Sequence, residues 1–329
     1  MTDSWRTGVS RRAALAGTAA LVAGPVLAEE CRVGPAPHEK GPLVWMNMDQ
    51  AELDAAYDQS VYSPLQRLIL ARYVSASQTA RAHLGEPQRM AYGPTDAEKL
   101  DIFRTKQPNA PIYVFIHGGA WLRGEAKNYA FPAELFVNAG VHYVALDFIM
   151  VKEAGGDIGN MAEQVRRAIA WVYKNADQFG GDRNRLYVGG HSSGGHLCGV
   201  ASITDWPSLG VPADGIKGWH CMSGLFDMKP VRLSKRGAYV KFTDAMEDAM
   251  SSQRHLDKIH APVMVTYGTD ETPEFQRQSR DFAAALKAAG KQVELVEAPN
   301  YGHFDMCESL GNPYGPNGRA ALKIMGLKA

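Results

Sequence analysis

Residues 185–202 read RLYVGGHSSGGHLCGVAS and contain the pattern G-x-S-x-G at positions 190–194. An apolar run precedes the pattern and a run of small and apolar residues follows it, which predicts a strand, a sharp turn and a helix. A serine on such a turn is lifted clear of the sheet, and small flanking residues are needed where backbone crowds backbone. The stretch therefore predicts a serine nucleophile, Ser192, between a strand and a helix.

From about residue 89 onward, segments with the pattern of a strand alternate with segments that have the pattern of a helix. Several strand runs are nearly all apolar, as expected for strands that helices cover on both faces. The predicted strands are 89–93, 99–104, 112–117, 141–148, 185–190, 217–222, 262–268 and 292–297. The clearest helix pattern spans 157–179 and is closed by Gly180 and Gly181. We therefore predict an α/β fold with a mostly parallel, doubly wound sheet of eight strands.

Residues 1–28 have the composition of a cleaved export signal. Arg11 and Arg12 precede an apolar run from Ala13 to Ala28, which ends in small residues that fit a cleavage site. Paired arginines in this position resemble a bacterial twin-arginine signal. The segment predicts a periplasmic or secreted bacterial protein.

The remainder of the chain is predicted to form one domain with a lead-in. Residues 29–48 are expected to be a mobile lead-in, because their first part is rich in proline, glycine and charge. The fold domain then spans 49–329. Within it, 49–84 is helical in pattern, and we expect 49–85 to form a small helical lid together with 225–258.

Composition excludes several classes of partner. The formal net charge of +0 gives no basic face for nucleic acid. No apolar run beyond the signal is long enough for a membrane anchor.

The four cysteines Cys31, Cys198, Cys221 and Cys307 fit neither a metal pattern nor a disulfide scaffold, although export would permit one disulfide. We expect no metal and no cofactor, and the sequence leaves the oligomeric state open.

A second glycine pattern, HGGAW at 117–121, follows the apolar strand predicted at 112–117. Two glycines allow backbone N–H groups to approach a substrate carbonyl oxygen as it gains charge. We therefore expect the N–H groups of Gly118, Gly119 and Ser193 to form an oxyanion hole. Trp121 is expected either to line the substrate pocket or to cap the core.

The HGGAW and GHSSG segments resemble those of the HGG-bearing esterase and lipase branch of the α/β-hydrolase fold. Further stretches from about residue 50 onward resemble the kynurenine formamidase (arylformamidase) group. They are DAAY at 54–57, YGP at 92–94, LDIF at 100–103, DETPEFQRQS at 270–279 and GHFD at 302–305. In that family tyrosine usually follows HGG, so Ala120 implies a more open substrate pocket here.

The resemblance also implies the partners of Ser192. The family's histidine follows the final strand, which corresponds to His303. Two acids, Asp270 and Glu271, follow the preceding strand, and general chemistry does not choose between them. In the family the acid directly precedes a small residue and a proline, which corresponds to Glu271.

The sequence as a whole predicts an exported serine hydrolase that cleaves a carboxylic ester or an activated amide of a small molecule. An arylformamidase is the alternative within enzymes. A non-catalytic binding protein on the same fold is the alternative from another class. A binding protein of this kind is expected to have lost the serine, the histidine or the acid. All three residues are present in this sequence, which favours an enzyme.

Overall fold

The computed structural model describes residues 34–328. The predicted export signal and Cys31 lie outside these residues. The described part of the chain contains a large mixed sheet, a two-stranded hairpin and helices on both faces of the sheet. None of its helices combines the length and the apolarity that crossing a bilayer requires.

Ten strands occur in the described residues, and they are joined by helices and short 3₁₀ turns. The strands are β1 (Leu43–Trp45), β2 (Met48–Asp49), β3 (Gln88–Ala91), β4 (Lys99–Phe103), β5 (Ala110–Ile116), β6 (His142–Leu146), β7 (Gly181–His191), β8 (Ile216–Met222), β9 (Val263–Gly268) and β10 (Val293–Ala298). The α-helices are α1 (Gln50–Ala56), α2 (Gln59–Tyr62), α3 (Gln66–Leu84), α4 (Ala133–Asn138), α5 (Ile158–Asn175), α6 (Ser193–Ser202), α7 (Met228–Leu233), α8 (Asp244–Ala249), α9 (Pro273–Ala288), α10 (His303–Glu308) and α11 (Pro316–Ile324).

The large sheet has eight strands in the order β10-β9-β8-β7-β5-β6-β4-β3. The strands from β10 to β6 in this order are parallel, whereas β4 pairs antiparallel with β6 and with β3. All eight predicted strands are present, and the prediction of a mostly parallel, doubly wound sheet is confirmed. β7 is central, so the turn that follows it lies in the middle of one sheet edge.

Two apolar clusters cover the two faces of the sheet. In β5, Ile112, Val114 and Ile116 point into one cluster, while Tyr113 and Phe115 point into the other. The first cluster includes apolar residues of α5, α6 and α9, and the second includes residues of α3, α4 and α11. Burial on both faces explains why the central strands are almost entirely apolar.

The helical pattern at 49–84 is divided into three helices rather than one. Pro64 restricts the backbone of Ser63 to a non-helical conformation, with φ −125° and ψ 80°, and this separates α2 from α3. The expected mobile lead-in is also partly ordered, since β1 and β2 form a hairpin within it. The indole of Trp45 packs against the first apolar cluster and under the guanidinium of Arg277, which anchors this hairpin.

The two segments predicted to form a lid contact each other. The backbone N–H of Lys235 donates to the carboxylate of Asp54 at 2.6 Å. The guanidinium of Arg236 donates twice to the carbonyl of Tyr57, at 3.1 and 3.2 Å. These contacts hold the 3₁₀ turn at Lys235–Ala238 against α1 and the start of α2.

Candidate active site

Ser192 occupies a strained turn between β7 and α6. Its backbone has φ 60° and ψ −123°, a conformation that L-residues rarely adopt. The turn is held by the N–H of Ser192, which donates to the carbonyl of Met222 at 3.0 Å. Gly194 packs so closely that an added Cβ would lie 2.1 Å from the carbonyl oxygen of Ile116. This is the strand–turn–helix context that the G-x-S-x-G pattern predicts.

Three side chains from separate loops form a continuous hydrogen-bonded chain. The Oγ of Ser192 lies 2.8 Å from Nε2 of His303, and Nδ1 of His303 lies 2.6 Å from Oε2 of Glu271. All three residues are at least nine-tenths buried. The serine follows β7, the acid follows β9 and the histidine follows β10, so the parallel sheet brings all three to one edge.

The two candidate acids have different surroundings. Asp270 is exposed and does not contact His303. Glu271 is buried, and its second oxygen accepts hydrogen bonds from the hydroxyl of Ser223 and the N–H of Gly268, each at 2.7 Å. Pro273 is the first residue of α9 and restricts Thr272 to an extended conformation, with φ −59° and ψ 148°. The structure therefore brings Glu271, and not Asp270, to the histidine.

Burial dominates the electrostatics of this chain of groups. It lowers the pKa of His303, and the positive charge of Arg236 lowers that pKa further. Burial raises the pKa of Glu271, an effect opposed by the hydrogen bonds from Gly268 and Ser223. A depressed histidine pKa keeps the imidazole neutral near pH 7, which is the form that can accept a proton.

His303 is held in place by its neighbours. Nε2 of His191 donates to the backbone carbonyl oxygen of His303 at 2.9 Å. The centroids of the two imidazole rings are 4.6 Å apart. Burial lowers the pKa of His191 to about 3, so its ring stays neutral. The ring of Phe275 meets the imidazole of His303 edge-on at 4.9 Å. These contacts restrict the orientation of the histidine.

The HGGAW loop lies beside Ser192. Gly119 has φ +123°, and an added Cβ would lie 1.8 Å from the carbonyl of Arg123, so only glycine fits. The carbonyl of Gly118 accepts a hydrogen bond from Nδ1 of His117 at 2.8 Å. Since the C=O and N–H of one peptide group point in opposite directions, the N–H of Gly119 points away from that ring. Ser193 begins α6, so its N–H has no carbonyl partner within the helix.

Of the two residues expected at the substrate pocket, the structure brings only Ala120 to a cavity. Trp121 is buried, and its Nε1–H donates to Nδ1 of His196 at 3.3 Å. The N–H of Trp121 donates to the hydroxyl of Ser193 at 3.2 Å. Trp121 therefore packs in the core and ties the HGGAW loop to α6, because the backbone at Ala120 and Trp121 has positive φ and turns inward.

Two cavities meet at Ser192 and His303. One, of about 470 Å³, is lined by Leu70, Tyr73 and Val74 and also by Arg123, Glu125 and Asn128. The other, of about 380 Å³, is lined by Ala120, by aromatic and apolar residues, and by the side chains of Asp58, Gln59, Arg123, Lys235 and Arg236. We call this second one the polar cavity after those five side chains. A molecule bound at Ser192 therefore meets mixed surfaces in both cavities, and the buried guanidinium of Arg236 in the polar cavity.

Comparisons with known proteins agree with this architecture. Profiles of the BD-FAE family and of the prolyl oligopeptidase family match residues 100–208 and 159–313. The kynurenine formamidase of Danio rerio is 28% identical over 86% of this chain and 98% of its own length. Esterase LipC of Mycobacterium tuberculosis is 28% identical over 71% of this chain and 63% of its own length. An esterase structure from Thermogutta terrifontis has the same fold, with a TM-score of 0.58 at 20% identity, covering 74% of this chain and 90% of that one.

The protein has the α/β-hydrolase fold, and its relatives include a kynurenine formamidase and esterases. Within residues 34–328, this hydrolase has no cluster of histidine, cysteine and acidic side chains that could hold a metal ion. Cys198, Cys221 and Cys307 are buried and free, and the sulfurs of Cys198 and Cys221 lie 3.8 Å apart.

Several residues of the α/β-hydrolase site were not singled out by sequence reasoning. Ser223 contacts the acid, while Gln59 and Arg236 line the polar cavity. His191 lies inside the G-x-S-x-G pattern, but its contact with His303 spans 112 positions of the chain. No motif connects these residues, because the contacts that place them are made only in the folded chain.

Proposed function

We propose that this hydrolase is a serine enzyme that cleaves a carboxylic ester or an activated amide through an acyl-enzyme. The observation that carries the proposal is the unbroken chain from Ser192 through His303 to Glu271, with the serine on a strained turn. The relationship to esterases and a formamidase supports hydrolysis of a small molecule.

In the proposed reaction, Oγ of Ser192 attacks the substrate carbonyl while Nε2 of His303 takes its proton. Glu271 accepts the Nδ1–H of His303, which fixes the tautomer and stabilises the imidazolium. His303 then gives the proton to the leaving alcohol or amine. Water attacks the acyl-enzyme by the same sequence and releases the acid.

The developing negative charge on the carbonyl oxygen is proposed to be stabilised by backbone N–H groups of Gly118, Gly119 and Ser193. Gly118 is in close contact with the nucleophile, since a Cβ added there would lie 3.0 Å from Cβ of Ser192. The hydrogen bond between Trp121 and Ser193 fixes the two sources of these N–H groups relative to each other.

The turnover of two matched variants on one substrate tests this proposal. Ser192→Ala should lower kcat for a neutral aryl ester by a factor on the order of 10⁴ or more. The matched control is Ser193→Ala, whose hydroxyl is engaged by the loop and not by His303. If Ser193→Ala abolishes turnover and Ser192→Ala does not, the assignment of the nucleophile is wrong.

An arylformamidase is a second candidate, favoured by the 28% identity to a kynurenine formamidase over most of both chains. Aryl esters of increasing acyl length, aryl formamides and anilides separate the two functions. Because Ala120 lines the polar cavity, we expect acetyl and propionyl esters to be hydrolysed at least as well as formanilides. Turnover of formyl compounds alone would favour the formamidase.

We also propose that the enzyme acts outside the cytoplasm. The support is the order of Arg11-Arg12, an apolar run and small residues before position 29. These residues lie outside the part of the chain that the structure describes.

A further inference from the structure

The polar cavity beside Ser192 contains a buried cation without an acidic partner. Arg236 is 5% exposed, and its guanidinium lies over the rings of Tyr57, Trp121 and Phe275 at 5.9, 5.3 and 5.6 Å. Two of its nitrogens donate to the carbonyl of Tyr57, and no carboxylate of residues 34–328 forms an ion pair with it. A buried charge without a counterion is energetically unfavourable, so such a site favours an anion.

Two further polar groups at this cavity are unsatisfied. Nη1 of Arg236 is buried and has no hydrogen-bond partner among the described residues. The side chain of Gln59 is 6% exposed, and neither its amide nitrogen nor its oxygen has a partner in that part of the chain. Both residues line the same cavity as Ser192 and His303. Buried polar groups are nearly always paired, so these two residues keep unused hydrogen-bonding capacity beside the cavity.

The carboxylates in and around this cavity already have partners among the protein's own residues. Asp58 pairs with Lys235, and Glu274 pairs with Arg277 at 2.6 Å. Glu271 is bound to His303. Arg123, at the mouth of both cavities, is exposed and adds a further positive charge.

We propose that Arg236 and Gln59 form a subsite for a carboxylate carried by the substrate. This inference rests on the proposed function and specifies its substrate class as esters or amides that bear a negative charge near the cleaved bond. The planar guanidinium supplies charged donors, and the amide N–H of Gln59 supplies a neutral one. Arg123 would attract the anion toward the cavity from solution.

Pairs of substrates that differ only in charge test the proposal. In the acyl arm, mono-4-nitrophenyl glutarate, which carries a free carboxylate, is compared with 4-nitrophenyl methyl glutarate, which is neutral. In the alcohol arm, 4-carboxyphenyl butyrate is compared with its neutral methyl ester. Each kcat/KM is divided by the second-order rate constant for hydrolysis by hydroxide, because the free carboxylate of the glutarate monoester accelerates its own spontaneous hydrolysis. We expect one arm to favour the anion by about 10–100-fold, as charged hydrogen bonds typically do, and the arm that does so shows where the carboxylate lies.

Variants assign the preference to its residues. Arg236→Gln and Gln59→Leu should each reduce the anion-to-neutral ratio, whereas Arg319→Gln, an exposed cation on α11, should leave the ratio unchanged. Arg236→Lys retains the charge but loses the planar donors, so it should keep part of the preference. Circular dichroism identifies any variant that fails to fold. If Arg236→Gln does not fold, Gln59→Leu still tests the preference for the anion.

Binding of monomethyl glutarate to the Ser192→Ala variant, measured by calorimetry against dimethyl glutarate, gives a reading without turnover of either ester. The proposal predicts that only the monoanion binds, and that adding Arg236→Gln to this variant weakens it. Hydrolysis of neutral esters without any anion preference, together with equal binding of the two glutarates, would overturn the subsite and leave the proposed function intact. Absence of all ester and amide hydrolysis with retained anion binding would overturn the proposed function alone.

Discussion

At the scale of single residues, the function depends on which carboxylate contacts His303. Glu271 is buried against the imidazole, whereas Asp270, its neighbour in sequence, is exposed. The contrast arises because Pro273 starts α9 and fixes the backbone just before it. Adjacent acids with opposite environments provide a matched pair for mutagenesis.

We predict that Glu271→Gln lowers kcat for a neutral aryl ester by about 10³–10⁴-fold, because His303 loses the acceptor that sets its tautomer. Asp270→Asn removes only an exposed loop charge and should change kcat little. The two variants are measured side by side with one substrate. The assignment is wrong if Asp270→Asn is the impaired variant.

The pH dependence of kcat/KM should also differ from that of an ordinary histidine. Because burial and Arg236 lower the pKa of His303, the neutral base persists to lower pH, and activity falls only as the pH drops through that depressed pKa. We expect the acid limb to have its midpoint below the ordinary histidine value of 6.5. Arg236→Gln removes a positive charge and should move the midpoint upward. A wild-type midpoint above 6.5 would contradict this account of the site.

At the scale of elements, the position of Ser192 depends on the close approach of α6 to β5. An added Cβ at Gly194 would collide with backbone at Ile116, which cannot move without displacing the central strand. We predict that Gly194→Ala lowers the free energy of unfolding by about 2 kcal/mol or more and reduces kcat. Gly41→Ala is the control, because its nearest neighbour would be 3.7 Å away. Urea unfolding measures both, and equal stability of the two variants would refute the packing argument.

The strands were predictable because the sheet is covered on both faces, which leaves apolar runs such as that of β5 in the sequence. Ser192 and His303 were predictable because a local motif and chain order mark them. The ordering of β1 and β2 was not predictable, since it depends on Trp45 packing against distant residues. The inward turn of Trp121 was left open for the same reason, because its partner His196 is 75 positions away.

The polar cavity could not be predicted from the sequence either. Arg236 and Gln59 belong to no motif, and α1, α2 and the turn at Lys235–Ala238 come together only in the folded domain. The burial of Nη1 of Arg236 and of the Gln59 amide without hydrogen-bond partners is a property of the three-dimensional structure.

At the scale of the whole molecule, export in folded form is a separate prediction. Replacing Arg11 and Arg12 by lysine should retain the uncut precursor in the cytoplasm if the twin-arginine route is used. Fractionation of expressing cells, with the mass of the periplasmic form, measures this outcome. Unchanged periplasmic yield would refute that route, and a mature protein that still begins at Met1 would refute cleavage after Ala28.

The central claim is that Ser192 is the covalent nucleophile of a serine hydrolase. The most direct measurement is mass spectrometry of the protein after treatment with a fluorophosphonate, with peptide mapping of the adduct. One adduct per chain, located on Ser192, absent from Ser192→Ala and retained in Ser193→Ala, is the predicted result. An adduct on Ser193, or no adduct on the folded protein, would contradict the account.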